Sequence, residues 1–440
     1  MKAFRASVWA MGAIAASCVA VDIAHASTGS GPTFEQVMQA PDDVDLNIAY
    51  AKAQADSGHL LSAAAAFERV LMLKPNAASV RLLYAVVLYR LDDLQGANAQ
   101  LAMVDGAQLP VLERKELDKY RRVVDSGRKD TKVHGQLAAG IATNSDALGA
   151  LVTEFDFTGK GAPREAGAGA VFSGLLAGST KLGSSDDMEL YGALAGYDRN
   201  SISGPDDQIQ YVTGEAGLKE TGRMGAWQLG GVARYYRLLG DPYLTEYGGR
   251  GEASWRLDTA TTLSASAEAV WQDYDEPAID AVKSTIGGTN DGARYGFQGG
   301  VTYRIDSHAT IAATGGYETH IAGYKAFGYD APFAGANFHD LLGSGVYLDV
   351  QGDLRWVSYR AVDTFFLLNT KRYDTDVFAR AAVGVPLSAF SAEGATADGL
   401  ENFALEGSVN YAKRNRSFPL SDYDGFGGEL RLVWNFGDGR

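Results

Sequence analysis

Six histidines are spread over 440 residues. A zinc protease would need two of them four apart on one helix face with a Glu between, and a serine hydrolase would need one within reach of a Gly-x-Ser-x-Gly elbow. His59, His134, His308, His320 and His339 stand alone, and neither motif occurs. Glu318 and His320 are two apart, so one strand face could present both as an acid–base couple. A single such pair on a polar face reads first as structural. The run DYDEPAIDAVKSTIGGTNDG from Asp273 to Gly292 collects acids without the fixed ligand spacing and distal Glu of a calcium loop, and reads as a solvated surface loop. Gly159-Lys160-Gly161 lacks the glycine spacing of a phosphate loop. The sequence therefore predicts no enzyme, no catalytic residue, no metal and no cofactor.

Charge is more informative where it recurs with period two. Arg234, Glu268, Arg294, Arg304, Glu318, Glu406 and Arg431 all fall on the polar face of an alternating segment. The elements that carry them are strands. In WQLGGVARYYR, Trp227, Leu229, Gly231, Ala233 and Tyr235 share one face, and Gln228, Val232, Arg234 and Tyr236 the other. In TLSASAEAVWQ, Leu263, Ala265, Ala267, Ala269 and Trp271 oppose Ser264, Ser266, Glu268 and Gln272. In RYGFQGGVTYR, Tyr295, Phe297, Gly299, Val301 and Tyr303 oppose Arg294, Gln298, Thr302 and Arg304. The apolar faces hold Ala, Gly and Leu in the middle and Tyr or Trp at the ends. That distribution suits a lipid-facing band between aromatic girdles better than a sandwich core. The polar faces would then line a lumen of mixed sign, holding the wall together by ion pairs at least as much as contacting cargo.

Turns divide residues 132–436 into about fourteen strands, centred near 138, 172, 194, 214, 232, 252, 267, 299, 315, 345, 357, 378, 407 and 431. An even number closes a barrel with both chain ends on one side. Short connections are expected at Ser184–Asp187, Gly222–Arg223, Asp258–Thr259 and Asp306–Ser307, and longer ones near 200–207, 238–245, 274–291, 325–336 and 413–425. In the last strand, Leu430, Leu432, Trp434 and Phe436 face outward and Arg431, Val433 and Asn435 inward, pairing with the first strand near Gly135–Ile141. The basic stretch Lys413–Asp424 reads as the final outer loop. The terminal aromatics look like the signal that barrel-assembly machinery reads, although Arg431 stands where a Gly is usual.

Residues 41–126 have a different period. Tyr50-Ala51, Gly58, Leu60, Ala63, Phe67 and Val70 are matched 34 residues later by Tyr84-Ala85, Asp92, Leu94, Ala97, Leu101 and Val104. Small residues where helices touch, a large apolar residue four later and closing prolines at Pro75 and Pro110 make the tetratricopeptide pattern. A basic helix from Leu112 to Val124 would cap the pair of units.

At the N-terminus, Lys2 and Arg5 precede an apolar run to Val21, and Ala24-His25-Ala26 supplies small residues at the cleavage-determining positions. Residues 1–26 read as a signal peptide. Cys18 admits a second reading, a lipoprotein, without the Leu usual before such a Cys. Removing Lys2, Arg5 and Asp22 takes the net charge from −15 to −16 and leaves no cysteine, so no disulfide staples the remainder. An acidic chain without a basic block argues against nucleic acid as a partner.

A signal peptide, a short repeat module and a barrel of this size together resemble the surface lipoprotein assembly modulators of Gram-negative outer membranes. The resemblance rests on AAAAFERVLMLKPNAASVRLLYAVVLYRLDDLQGANAQL in the helical part, on GQLAAGIATNSD at the barrel start, and on VNYAKRNRSFPLSDYDGFGGELRLVWNF at the end. It implies periplasmic repeats that meet a client protein, usually a lipoprotein, and an outer-membrane barrel that helps the client to the cell surface without covalent chemistry. It names no client-contacting residue. Polysaccharide export and simple diffusion are the alternatives, the former usually with far longer repeat arrays.

Overall fold

The structure, a computed structural model, describes residues 31–91, 93–104, 109–128, 130–145, 165–183, 188–204, 208–222, 224–275, 283–306, 308–342, 345–364, 369–390, 399–417 and 423–437. The segment 1–26 read as a signal peptide, with Cys18, and Asp92, Gly159–Gly161, Ser184–Asp187, Arg223, residues 276–282 of the acidic loop, Ser307 and residues 418–422 lie outside the described residues. The chain divides into a helical unit and a sheet unit.

The helical unit comprises α1 (Phe34–Gln39), α2 (Val44–Asp56), α3 (Leu60–Leu73), α4 (Ala78–Arg90), α5 (Leu94–Ala102) and α6 (Val111–Arg128). Three of its helix starts are capped by side chains. Asp43 accepts from the Leu46 amide at 3.0 Å, Asp93 from Gly96 at 2.8 Å, and Thr33 with Gln36 forms a reciprocal capping box. Gly58 turns the chain between α2 and α3 at φ 79°, a region glycine enters without steric cost. Residues 34 apart do the same work in both helix pairs. Tyr50 and Tyr84, Ala51 and Ala85, Ala63 and Ala97, Phe67 and Leu101, and Val70 and Val104 are all buried in one core. Leu117, Tyr120 and Val124 of α6 join that core, as expected of a capping helix. Pro110 corrects the reading made from spacing alone. Helix α5 ends at Ala102, and Pro110 immediately precedes α6, so it begins a helix and closes none.

The sheet unit is a closed barrel of fourteen strands: β1 (Thr131–Asn144), β2 (Gly167–Lys181), β3 (Met188–Ser203), β4 (Ile209–Thr221), β5 (Gly225–Leu238), β6 (Asp241–Arg256), β7 (Thr261–Tyr274), β8 (Gly292–Arg304), β9 (Ala309–Ala322), β10 (Tyr329–Leu341), β11 (Tyr347–Val362), β12 (Lys371–Pro386), β13 (Phe403–Arg416) and β14 (Tyr423–Gly437). Every strand neighbours its successor, and β14 returns antiparallel to β1 in the register Gly135↔Phe436 through Ile141↔Leu430. Closure leaves no free sheet edge.

Four boundaries differ from the expectation. No strand centres on residue 345, which lies between β10 and β11; the tenth strand is 329–341, within and beyond the stretch read as a loop at 325–336. Its alternation is weak, and Pro332 has no amide to give the ladder, so pairing with β11 skips from Asp330 to Phe333. The supposed loop at 238–245 is a turn of Leu239 and Gly240 alone. Strand β13 runs to Arg416, so Lys413 and Arg414 belong to the wall and not to an outer loop. Finally, β12 and β13 are joined by residues 387–402, with 3-10 turns at Leu387–Phe390 and Leu400–Asn402, at the end where the other connections are short.

The outer face is apolar, and on four strands it carries a pair of aromatics eight residues apart. Trp227 and Tyr235 on β5, Tyr247 and Trp255 on β6, Tyr295 and Tyr303 on β8, and Phe426 and Trp434 on β14 are all exposed. The members Trp227, Trp255, Tyr303 and Trp434 lie toward the end where β1 starts and β14 finishes, and their partners toward the other. Phe403 stacks on Trp434 with centroids 5.9 Å apart, and Tyr411 meets Phe426 at 4.8 Å, which extends both rows to β13.

Candidate functional site: the inner wall of the barrel

Side chains alternate across a strand, so the residues between the outward ones point into the barrel. There the predicted charges meet. Arg234 on β5 bonds Glu268 on β7 at 3.0 and 2.6 Å and Glu246 on β6 at 3.2 Å. Arg294 on β8 bonds Glu268, lies 3.3 Å from Glu246 and 3.3 Å from Glu318 on β9. Arg355 on β11 takes the other Glu318 oxygen at 2.6 Å, and Arg414 on β13 bonds Asp376 on β12 at 2.9 Å. Arg234, Arg294 and Arg355 each reach past the adjacent strand, so the lattice ties strands that share no backbone bond, whereas Arg414 and Asp376 are direct cross-strand partners. Its members are buried or nearly so. Charges in that position are stable only when paired and hydrogen-bonded, which the forked geometry of Arg provides.

A second cluster lies nearer the end with the short turns. Glu406 on β13 receives Arg380 at 2.8 Å, Tyr347 at 2.7 Å and Arg431 of β14. Two separate pairs are Arg250 with Glu252 at 3.1 Å and Lys219 with Glu189 at 2.9 Å.

Of the seven charges expected on the lumen side, Arg234, Glu268, Arg294, Glu318, Glu406 and Arg431 enter these clusters. Arg304 does not; it is exposed at the last position of β8. Glu318 and His320 do share one inner face. Glu318 is held by two guanidinium groups and the Tyr329 hydroxyl, and the buried His320 ring lies between Tyr274 and Tyr329, with centroids 6.2 and 5.5 Å away. Sequence reasoning missed Glu246, Arg355, Asp376 and Arg414. Alternation could have found Arg414 and Glu246, had β13 and β6 not been read partly as loops.

An aromatic run borders the lattice. Tyr197, Tyr211 and Tyr236 contact in series at 5.8 and 6.1 Å, and Tyr329 meets Tyr359 at 6.1 Å, with Arg372 above the Tyr359 ring at 4.3 Å.

Two exposed turns outside the strands carry a matching device. Asp258 accepts from the amides of Ala260 and Thr261 at 2.7 Å each, and Asp306 from those of His308 and Ala309 at 2.7 and 2.8 Å. These backbone bonds hold both carboxyls below the usual carboxylate range.

No family model matches the chain, and no curated protein matches it in sequence. Among solved structures it overlaps the Pseudomonas putida toluene transporter TodX, at 8% identity over 72% of this chain and 92% of that one, with a TM-score of 0.34. It overlaps a bacterial polysaccharide outer membrane secretin at 9% identity over 69% and 98%, with a TM-score of 0.32. The helical part overlaps the TPR2B domain of yeast Sti1 in its pHsp70 complex at 18% identity over 21% and 78%, with a TM-score of 0.20. Scores this low carry no argument, and the fold is read from the chain's own strand pairing.

Proposed function

We propose that the chain is an outer-membrane transport protein whose barrel helps a client to the cell surface, the client being met by tetratricopeptide-like repeats in the periplasm. The observation that carries this reading is one closed sheet with two opposed surfaces: an apolar outside bordered by two aromatic rows, and an ion-paired inside. A bilayer accepts such a wall because every backbone group is satisfied within the sheet and only apolar side chains meet hydrocarbon. Chain termini in bacterial barrels lie on the periplasmic side, which supports reading the helices that precede β1 as periplasmic. The resemblance to surface lipoprotein assembly modulators supplies the client class, a lipoprotein, and the mechanism is recognition and passage without covalent chemistry. Insertion of the barrel itself would use the barrel-assembly machinery. Deletion of the gene followed by protease treatment of intact cells tests the reading. Loss of protease access to at least one surface lipoprotein is expected; equal access to all of them overturns the client assignment.

A diffusion pore is the second reading, favoured by the hydrophilic inner wall. Conductance of the purified protein with and without residues 41–126 separates the two. A pore conducts equally in both forms, whereas a translocation barrel changes when the repeats are removed.

A further inference from the structure

We propose that the outer wall of the barrel holds one phosphate-bearing lipid of the surrounding leaflet, with an acyl chain in a recess at the paired glycines Gly174 and Gly196 and the phosphate at Arg237. The inference rests on the membrane-spanning reading above.

Gly174 on β2 and Gly196 on β3 are direct cross-strand partners, and Gly196 pairs onward with Val212 on β4, which pairs with Tyr235 on β5. All four point outward. Two adjacent missing side chains leave a recess of about 410 Å³ between Leu137 and Phe172 on one side and Val212 and Tyr235 on the other. That volume is in the range of small-ligand sites, roughly 300–1,000 Å³. The backbone does not require glycine at either position. Neither residue has a positive φ. A Cβ on Gly196 would meet only the Tyr211 carbonyl at 3.4 Å and a Val212 methyl at 3.8 Å, and one on Gly174 would meet a Leu137 methyl at 3.0 Å. What the glycines supply is the space.

The chemistry of the rim selects the occupant. Two residues further along each strand, away from the chain termini, Asp198, Gln210 and Arg237 take the outward positions. The Asp198 carboxylate accepts from Asn200 at 2.7 Å and from Gln210 at 2.9 Å. Arg237 donates to neutral oxygens, Gln210 Oε1 at 3.0 Å and the Gly240 carbonyl, and no carboxylate among the described residues pairs with it. Tyr235 belongs to the aromatic row at this end, so Arg237 stands just past the apolar band, at headgroup depth. A guanidinium there with an apolar recess beside it matches a phosphate joined to an acyl chain.

Native mass spectrometry of the delipidated full chain, titrated with dioleoyl phosphatidylglycerol and in parallel with dioleoylglycerol, tests this. One phosphatidylglycerol should be retained, about tenfold more tightly than the neutral lipid, the worth of one charge-assisted contact. Gly196→Leu should abolish retention, and Arg237→Gln should bring phosphatidylglycerol down to the level of dioleoylglycerol. Retention unchanged in Gly196→Leu, or discrimination unchanged in Arg237→Gln, overturns the proposal. Heat-modifiable gel migration after addition to liposomes is read on the same proteins. Failure of the wild type to insert sinks the membrane reading and this site with it, whereas normal insertion with no difference among variants sinks the lipid site alone.

Discussion

Arg234 and Glu268 are joined by two hydrogen bonds, at 3.0 and 2.6 Å, although the whole of β6 separates their strands. Removing one partner leaves a buried charge short of its counterion, which costs about 3–5 kcal/mol. Glu268→Ala should therefore lower the urea midpoint of the liposome-inserted barrel markedly. The double variant Arg234→Met/Glu268→Leu should recover most of that loss, because it leaves neither charge behind. A double variant as unstable as the sum of the singles would mean that the pair is not coupled.

Leu239 is the non-glycine residue with positive φ among those described, at 52°, followed by Gly240 at 85°. Two such residues between strands are the turn that Asn-Gly favours. Leu239→Asn should relieve about 1 kcal/mol of left-handed strain. Its exposed side chain gives up little burial in exchange. A rise in the unfolding midpoint is the expected result, and a fall would show that the leucine side chain matters more than its backbone.

Leu432 is outward on β14 and Val433 is buried on the inner side. Leu432→Arg should cost about 2–4 kcal/mol if it lies near mid-membrane and should hold back insertion into liposomes. Asn435→Asp, on the inner face, should insert normally. Equal insertion of both variants would place the faces one residue out of register.

Phe67 and Leu101 fill equivalent places in the two helix pairs, and both are buried. Phe67→Ala should destabilise the helical unit by about 3–5 kcal/mol while leaving barrel heat-modifiability unchanged. Far-ultraviolet circular dichroism during melting reads the first effect and gel migration the second. A loss of barrel stability instead would contradict the separate cores.

Asp258 and Asp306 set a pH dependence. Their carboxyls are lowered in the folded protein, so their contribution is present above the unfolded value, about 3.9, and is lost as pH falls through the lower folded value. The Asp258→Asn/Asp306→Asn double variant should therefore unfold at a lower denaturant midpoint than the wild type at neutral pH, with the difference closing below about pH 4. Identical acid profiles would mean that other carboxylates dominate.

Much of the architecture was legible in alternation. The three segments around Arg234, Glu268 and Arg294 revealed both faces, because period two is a local property of a strand. The 34-residue match of Tyr50 with Tyr84 and Phe67 with Leu101 likewise revealed equivalent packing positions. Two things were hidden for physical reasons. Strand β10 is held by the register of its neighbours more than by its own pattern, and Pro332 inside it reads as a breaker. The Leu239–Gly240 turn lacks a turn signature at its first position. The partners of the inner charges were also out of reach, because Arg234 meets Glu268 through the stagger of three strands, and stagger is not written in any one of them.

The eight-residue spacing of the paired outward aromatics on β5, β6, β8 and β14 fixes a length. At about 3.4 Å per residue and a tilt near 40°, eight residues rise roughly 20 Å. That is short beside a hydrocarbon layer of about 30 Å. The barrel would therefore compress the lipid around it, and a thick, stiff bilayer would resist that thinning. Hydrophobic mismatch alone would then bias the protein toward the thinner of two membranes in the same cell, with no address in its sequence needed for that preference.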